Sequence, residues 1–373
     1  MASVAATTPV PAAASERGFF EGKRPSWIIL LAFPAVTLPV AAGVLFAADQ
    51  RILLGYLWLF GLTHFVLTLS VYLQRENLRH FTATPTNILL YIVIPLAILM
   101  GFYAVGVLQL RARIPALAIG LSCLVRLLDF NHLNRQTFGV YQLFKGRLRM
   151  RPLPAMKRAE QGYYFALTGV LFVTFLAGGA SPFLSSPSAP LLPIAWLRIA
   201  AMTAMIVAAG FGATCITMLV RSWREAGRPA GLGESLAYFA FQTASAVLSI
   251  VSLPLYLATL AIHYVEYHVL MFPRCFRSPL NGSSRLDRCF AWLRRSPVSF
   301  YGTTIVLAGV VLVFTNLRGP LPAHPLRYLA VVSIFDGLFV FHYFVETLIW
   351  RFSDPFYRKT LGALYFRPKA QAG

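Results

Sequence analysis

The longest apolar stretch of the chain is residues 235–272, SLAYFAFQTASAVLSIVSLPLYLATLAIHYVEYHVLMF. As one straight helix it would be about 57 Å long at 1.5 Å per residue, nearly twice the ~30 Å hydrocarbon core of a membrane. Pro254 lies near its middle, where it removes a backbone donor and disfavours a helical conformation in the residue before it. The stretch therefore predicts two membrane-spanning helices, 235–252 and 254–272.

The rest of the chain has the same apolar character. Of its 373 residues, 57% are hydrophobic and only 12% are charged, whereas soluble domains carry about 25% charged residues. This composition excludes a soluble globule and a disordered chain. Eight more runs reach spanning length. We predict an all-α, polytopic transmembrane helix bundle over residues 26–350 with about ten spans: 26–48, 52–74, 88–110, 114–136, 162–180, 195–220, 235–252, 254–272, 298–317 and 328–350.

The charged residues indicate how these spans are oriented. The formal net charge is +20, from 33 Lys and Arg against 13 Asp and Glu, and such an excess is typical of cytoplasmic loops rather than nucleic-acid binding in a membrane protein. Ten spans with both termini in the cytoplasm place most Lys and Arg inside. We therefore predict a multi-pass protein of the cell inner membrane, with these cytoplasmic segments: 1–25, 75–87, 137–161, 221–234, 273–297 and 351–373.

The two ends of the chain are predicted to lie outside the bundle. Residues 1–25 are rich in Ala, Thr, Pro and Ser and then basic, which predicts a disordered basic tail. Residues 351–373 contain a turn at Asp354-Pro355 and then basic residues, which predict a short amphipathic helix on the membrane surface, in contact with membrane lipids.

Five of the seven histidines lie inside predicted spans 2, 4, 8 and 10, all of which run towards the cytoplasm. Each lies roughly 4 to 10 residues before the cytoplasmic end of its span, so the set forms one layer about 6–15 Å deep. Ionisable residues within a membrane are costly and indicate function. These histidines are His64, His132, His263, His268 and His342.

Acidic residues lie on the same helix faces as three of these histidines. Spacings of i,i+3 and i,i+4 place side chains on one face, and bundle-core metal sites use such acid–histidine pairs from facing helices. We therefore predict a metal centre, for which iron, zinc, copper or manganese suits imidazole and carboxylate ligands. The pairs are Asp129 with His132, His263 with Glu266, and His342 with Glu346.

Alternatives remain open for individual residues. A single intramembrane histidine is more often a hydrogen-bonding residue than a ligand, and only the shared layer favours a cofactor. Asp129 has a second local partner in Arg126. His268 points about 140° away from His263, so it is a ligand of a second metal, a supporting residue or neither. Tyr264, Tyr267 and Tyr343 flank the histidines and could relay protons or electrons. Tyr264, Tyr343, Glu266 and Glu346 are the predicted catalytic residues.

The layer of histidines and acids resembles that of histidine-rich membrane di-iron oxygenases, the fatty-acid desaturase and hydroxylase group. It also resembles the bacterial carotene-cleaving membrane oxygenases, which distribute their histidines over several helices. The resemblance is one of residue type and depth: the desaturase motifs HxxxH and HxxHH are absent, and the nearest features are His263-Tyr-Val-Glu266-Tyr-His268 and His342-Tyr-Phe-Val-Glu346. It implies a di-iron centre that activates O2.

The expected function is a metal-dependent oxidoreductase that hydroxylates, desaturates or cleaves a lipid-like or isoprenoid substrate, with an electron donor on the cytoplasmic side. Two other functions fit the same histidine layer. A proton-coupled transporter would use it as a proton relay, and a haem b protein would use two facing histidines as axial ligands.

Overall fold

The structure is a computed structural model that describes residues 23–47, 52, 55–112, 114–146, 154–178, 193–251, 253–276, 285–316, 325–351 and 353–365. Over these residues it is helical and contains no strand, as the sequence predicts. The predicted N-terminal tail, except for its last three residues, and residues 366–373 lie outside the described part. The α-helices are α1 (Lys23–Ala32), α2 (Leu38–Ala42), α3 (Thr63–Leu69), α4 (Arg75–Phe81), α5 (Pro85–Ile88), α6 (Ile94–Ala112), α7 (Pro115–Gly146), α8 (Pro154–Gly178), α9 (Ile194–Glu225), α10 (Leu232–Val251), α11 (Leu253–Phe276), α12 (Arg285–Leu293), α13 (Pro297–Asn316), α14 (Pro325–Ile349), α15 (Pro355–Thr360) and α16 (Gly362–Tyr365).

The long apolar stretch divides where Pro254 predicts. Helix α10 ends at Val251 and α11 begins at Leu253, which puts Pro254 in the first turn of α11. A proline is tolerated there because the first backbone N–H groups of a helix have no partner within it. Short π-helical segments join several of the other helices, among them Leu57–Leu62, which leads directly into α3.

Several helices are long and apolar enough to cross a membrane. Among the described residues there are four: Pro25–Ala42, Pro85–Leu108, Ala195–Glu225 and Leu255–Phe276. The number rises to six if Leu57–Leu73 with Arg75–Phe81, bent by 77°, and Arg285–Leu293 with Pro297–Val313, bent by 101°, each count as one span. The described residues therefore contain four to six candidate spans, and the count of ten stays a prediction.

Helix α11 is the centre of the bundle. In its apolar segment Leu255–Phe276, 83% of the residues are buried, compared with 17% in each of the segments Pro85–Leu108 and Ala195–Glu225. Helices α3 and α7 pack against α11 and also against α14, so these four helices enclose a common interior. Helix α9 instead exposes large apolar side chains, an exterior suited to lipid: Trp196, Ile199, Met202 and Ile206.

The predicted cytoplasmic segment 137–161 is largely helical. Helix α7 continues to Gly146 and α8 begins at Pro154. Lys145, predicted as a loop charge, is buried and pairs with the buried carboxylate of Glu160, which also accepts a hydrogen bond of 2.8 Å from Gln142. A buried charge needs such a partner, and this pair ties α7 to α8.

The C-terminal helices α15 and α16 pack back onto the bundle. Asp354 caps α15 by accepting a hydrogen bond of 2.8 Å from the Phe356 N–H, in the turn that the sequence predicts. The Phe356 ring stacks on the His80 ring at 4.0 Å between centroids, and the Tyr365 hydroxyl donates to the Leu270 carbonyl. We call Pro355–Tyr365 the C-terminal cover.

The packing of α6 against α14 depends on Gly337. A Cβ atom there would lie 3.0 Å from Cβ and 3.1 Å from Cγ of Phe102, and the Cβ of Phe102 is held by its backbone and cannot rotate away. We expect Gly337→Ala to destabilise the protein by about 1–3 kcal/mol, the usual cost of overpacking. Thermal unfolding in detergent would measure this. Gly101→Ala is the control, because its Cβ would meet nothing within 4 Å; equal melting temperatures for the two variants would contradict the packing.

The contact between His80 and the C-terminal cover should depend on pH. Partial burial lowers the pKa of His80 below its ordinary value of 6.5, against the opposing effect of Asp354. Because the folded pKa is depressed, this contribution to stability is complete above pH 6.5 and is lost as the pH falls through the folded value. We expect the melting temperature to fall more steeply below this pH in the wild type than in His80→Phe, which keeps a ring against Phe356. Parallel curves would contradict this.

Candidate metal centre

Three helices bring four potential metal ligands to one buried point. His64 comes from α3, His132 from α7, and His342 and Glu346 from α14. One ligand atom from each lies within 4.8 Å of every other, and all four residues are buried. His342 and Glu346 share a face of α14 because they are four residues apart. We call this set the His/Glu cluster.

The spacing of the ligand atoms suits one shared cation. The two Nε2 atoms of His64 and His342 are 2.7 Å apart, and His132 Nε2 lies 3.3 Å from Glu346 Oε2. Atoms bonded at about 2.1 Å to the same ion lie about 3 Å from one another. Imidazole and carboxylate are ligands for several transition metals, so the cluster could hold a metal ion.

The cluster also leaves buried polar atoms unsatisfied. His64 Nδ1, His132 Nε2 and Glu346 Oε1 are inaccessible to solvent and have no hydrogen-bond partner. Buried polar groups in native proteins are rarely left unpaired, and an ion is one usual explanation. A single cation could be bound by His132 Nε2 and by the carboxylate of Glu346 at the same time.

Hydrogen bonds on one side of the cluster fix the orientation of His342. Its Nδ1 lies 2.6 Å from Thr68 Oγ1, which lies 2.7 Å from the Tyr267 hydroxyl. The Tyr267 hydroxyl also interacts with the Glu346 carboxylate. With the His342 proton on Nδ1, each group in this chain can donate to the next, and Nε2 keeps its lone pair towards the cluster. Such a partner on the second nitrogen is usual for metal-binding histidines.

Asp129 supports the other side of the cluster and does not join it. Its Oδ1 accepts a hydrogen bond of 2.7 Å from the Tyr343 hydroxyl, and its Oδ2 accepts bonds from Tyr256 at 2.9 Å and Arg126 at 3.1 Å. The Tyr343 ring stacks on His132 at 4.5 Å. The ion pair with Arg126 is the alternative that the sequence raised.

His263 lies against the cluster, whereas His268 lies apart. The His263 ring is 4.8 Å from the His64 ring and 5.3 Å from the His132 ring, and its buried Nδ1 has no partner. Four of the five predicted histidine rings therefore meet. The His268 ring instead lies 5.7 Å from Tyr301 and 6.5 Å from Phe60.

Glu266, predicted as a ligand, occupies a separate buried pocket. Its Oε1 accepts hydrogen bonds from the Tyr238 hydroxyl at 2.5 Å and from Gln242 at 2.8 Å, both on α10. Gln136 approaches Oε2 at 3.4 Å. The Tyr264 ring lies 5.4 Å from His64, in the wall of the cluster.

The sequence analysis names Tyr267 only as a tyrosine that flanks the histidines and does not select Thr68, although helical spacing marks both. Thr68 is four residues after His64, and Tyr267 is four residues after His263, so each shares a face with a predicted ligand. A hydroxyl one turn from an intramembrane histidine is the signal that could have identified Thr68.

Removing the Tyr267 hydroxyl should weaken metal binding. Tyr267→Phe breaks the chain from His342 to Glu346 while keeping the ring, and loss of such supporting bonds usually costs 10- to 100-fold in metal affinity. Metal retained after dialysis against graded chelator concentrations would measure the change. Tyr163→Phe, which loses a 2.6 Å bond to Thr243 elsewhere, is the matched control. Equal retention by the two variants would contradict the assigned role.

Comparisons with known proteins do not identify a family. No protein-family model, curated protein or solved structure matches the chain. The function is therefore argued from the His/Glu cluster and its surroundings.

Proposed function

We propose that this protein is an integral membrane, metal-dependent oxidoreductase that acts on a lipid-like substrate at the His/Glu cluster. The observation that carries the proposal is the convergence of three imidazoles and one carboxylate, from three helices, within 4.8 Å in a buried interior. Ionisable groups are expensive in such a place and are seldom found there without a function.

Iron is the metal that we propose. Imidazole and carboxylate ligands with open positions are typical of non-haem iron oxygenases, although zinc, copper and manganese accept similar ligands. Bound iron would supply O2 activation; the chain's own groups hold the ligands and restrict water. His263, with its unpartnered Nδ1 beside the cluster, is the residue best placed to extend the ligand set towards a second iron.

The geometry favours a chelated ion over haem. Two histidines that bind haem iron from opposite faces hold their nitrogens about 4 Å apart, twice a bond of about 2 Å, with the porphyrin between them. The Nε2 atoms of His64 and His342 are 2.7 Å apart.

A lipid-like or isoprenoid substrate fits the surroundings of the cluster. The Phe65 ring lies 4.5 Å from the His342 ring and 4.5 Å from the Phe339 ring, and Leu62, Val66 and Ala308 complete this apolar wall. The outer surface of the bundle is also apolar, so both substrate and O2 would partition towards it. Basic residues of the cytoplasmic face would receive an electron donor.

We further propose ten spans, with both termini in the cytoplasm of the inner membrane. Helices α7, α8, α10 and α14 contain 32, 25, 20 and 25 residues. Each is therefore at least about 30 Å long, enough to cross the hydrocarbon core. The polar residues that reduce their hydropathy include members of the His/Glu cluster and its supports, which face the interior of the bundle.

Metal analysis of the purified protein tests the centre itself. We expect about one equivalent or more of iron in the wild type and a loss of most of it in His342→Ala, since that change removes a ligand. His268→Ala is the matched control, because His268 lies outside the cluster. A wild type without stoichiometric metal, or equal metal content in the two variants, would exclude the proposed centre.

Labelled oxygen tests the reaction. Cells that produce the wild type under ¹⁸O2 should contain a lipid or isoprenoid product that is oxidised relative to cells producing His342→Ala; hydroxylation or cleavage would also introduce ¹⁸O. Mass spectrometry of the extracts would detect it. Stoichiometric metal without any such product would contradict the oxidoreductase. Proton-dependent uptake by proteoliposomes of metal-free protein would favour the transporter instead.

A further inference from the structure

Arg274 is the largest fully buried side chain among the described residues. It lies near the end of α11, and its Nη1 donates to the Ile349 carbonyl at 3.3 Å. The guanidinium carbon lies 5.6 Å from the Trp350 ring and 5.7 Å from the Tyr357 ring. Its charge is therefore enclosed between the end of α14 and the C-terminal cover.

Among the described residues, the buried guanidinium has no carboxylate within ion-pair distance. Its Nε and Nη2 have no hydrogen-bond acceptor among the same residues. The indole Nε1 of Trp350, in contact with the guanidinium, is also buried without an acceptor. An unpaired buried charge is strongly destabilising, and such orphan donors usually mark a bound ion or water.

The free edge of Arg274 is the one that binds oxyanions. Nε and Nη2 lie on the same edge of the guanidinium and can donate two parallel hydrogen bonds to two oxygens of one anion. The Trp350 N–H, in a ring 5.6 Å from the guanidinium carbon, is a third buried donor without an acceptor. Arg274 and Trp350 therefore offer three buried donors and one positive charge.

We propose that Arg274 and Trp350 bind a phosphate group beneath the C-terminal cover. Two oxygens of a phosphate group would accept from the Arg274 edge, and a third oxygen would accept from the Trp350 N–H. The group is either the phosphodiester of a membrane phospholipid or free inorganic phosphate. Both present two non-bridging oxygens to the arginine, and the third acceptor is an ester oxygen in the lipid and a further phosphate oxygen in the free ion. Entry requires the cover to move, because Tyr357 and Arg274 are both fully buried. This site is separate from the His/Glu cluster and does not depend on its metal.

Binding to the purified full-length protein tests this site. Native mass spectrometry would count phosphatidylglycerol molecules that stay bound after detergent exchange, and thermal shift would titrate inorganic phosphate against delipidated protein. The variants are Arg274→Gln, which removes the charge and the paired donors, and Trp350→Phe, which removes only the indole N–H. Arg221→Gln, on an arginine whose side chain is 79% exposed, is the matched control.

We expect either phosphatidylglycerol or inorganic phosphate to bind the wild type, and to bind Arg221→Gln equally well. Arg274→Gln should weaken that binding about tenfold or more, and Trp350→Phe about threefold to tenfold. Retained phosphatidylglycerol identifies the lipid source, and a shift with phosphate alone identifies the free anion. Binding of neither probe, or equal binding by all four proteins, overturns the proposal. Trp350→Phe keeps the test decisive if Arg274→Gln does not fold.

Discussion

The arrangement of the bundle depends on one contact, in which the imidazole nitrogens of His64 and His342 face each other across 2.7 Å in an apolar interior. Without a cation, one shared proton is the most that this contact can hold, and the adjacent atoms of His132 and Glu346 remain unsatisfied. A metal ion held by the four residues would satisfy His132 Nε2 and the Glu346 carboxylate together. The contact also sets the register of α3 against α14, because each ring must reach the same depth.

Tyrosine hydroxyls from neighbouring helices hold the two sides of the centre. On one side Tyr267 of α11 connects through Thr68 to His342, and on the other Tyr343 is bonded to Asp129 while its ring covers His132. Each connection joins residues on different helices, so the ligands are fixed by tertiary packing. The aromatic residues around the histidines are therefore supports of the cluster as well as filling between helices.

The sequence predicts what is local and misses what depends on packing. The break at Pro254 and the shared face of His342 and Glu346 follow from backbone geometry, and both are present. Glu266 turns instead to Tyr238, because residues three apart differ by about 60° around a helix and the bundle decides which neighbour each one meets. Lys145 looked like a loop charge because its partner is 15 residues away on another helix. The number of spans is harder to predict, since the helices that line the centre carry polar residues.

Four charged residues of the interior form ion pairs, and two others lie at the proposed binding sites. Arg126 pairs with Asp129, and Lys145 pairs with Glu160. Glu346 lies at the proposed cation site, and Arg274 lies at the proposed phosphate site. These two residues interact electrostatically along the end of α14. A metal that neutralises Glu346 would leave the charge of Arg274 uncompensated, and so would favour an anion beside it. Each site nevertheless rests on its own buried atoms, since both Glu346 and Arg274 have polar atoms without a hydrogen-bond partner.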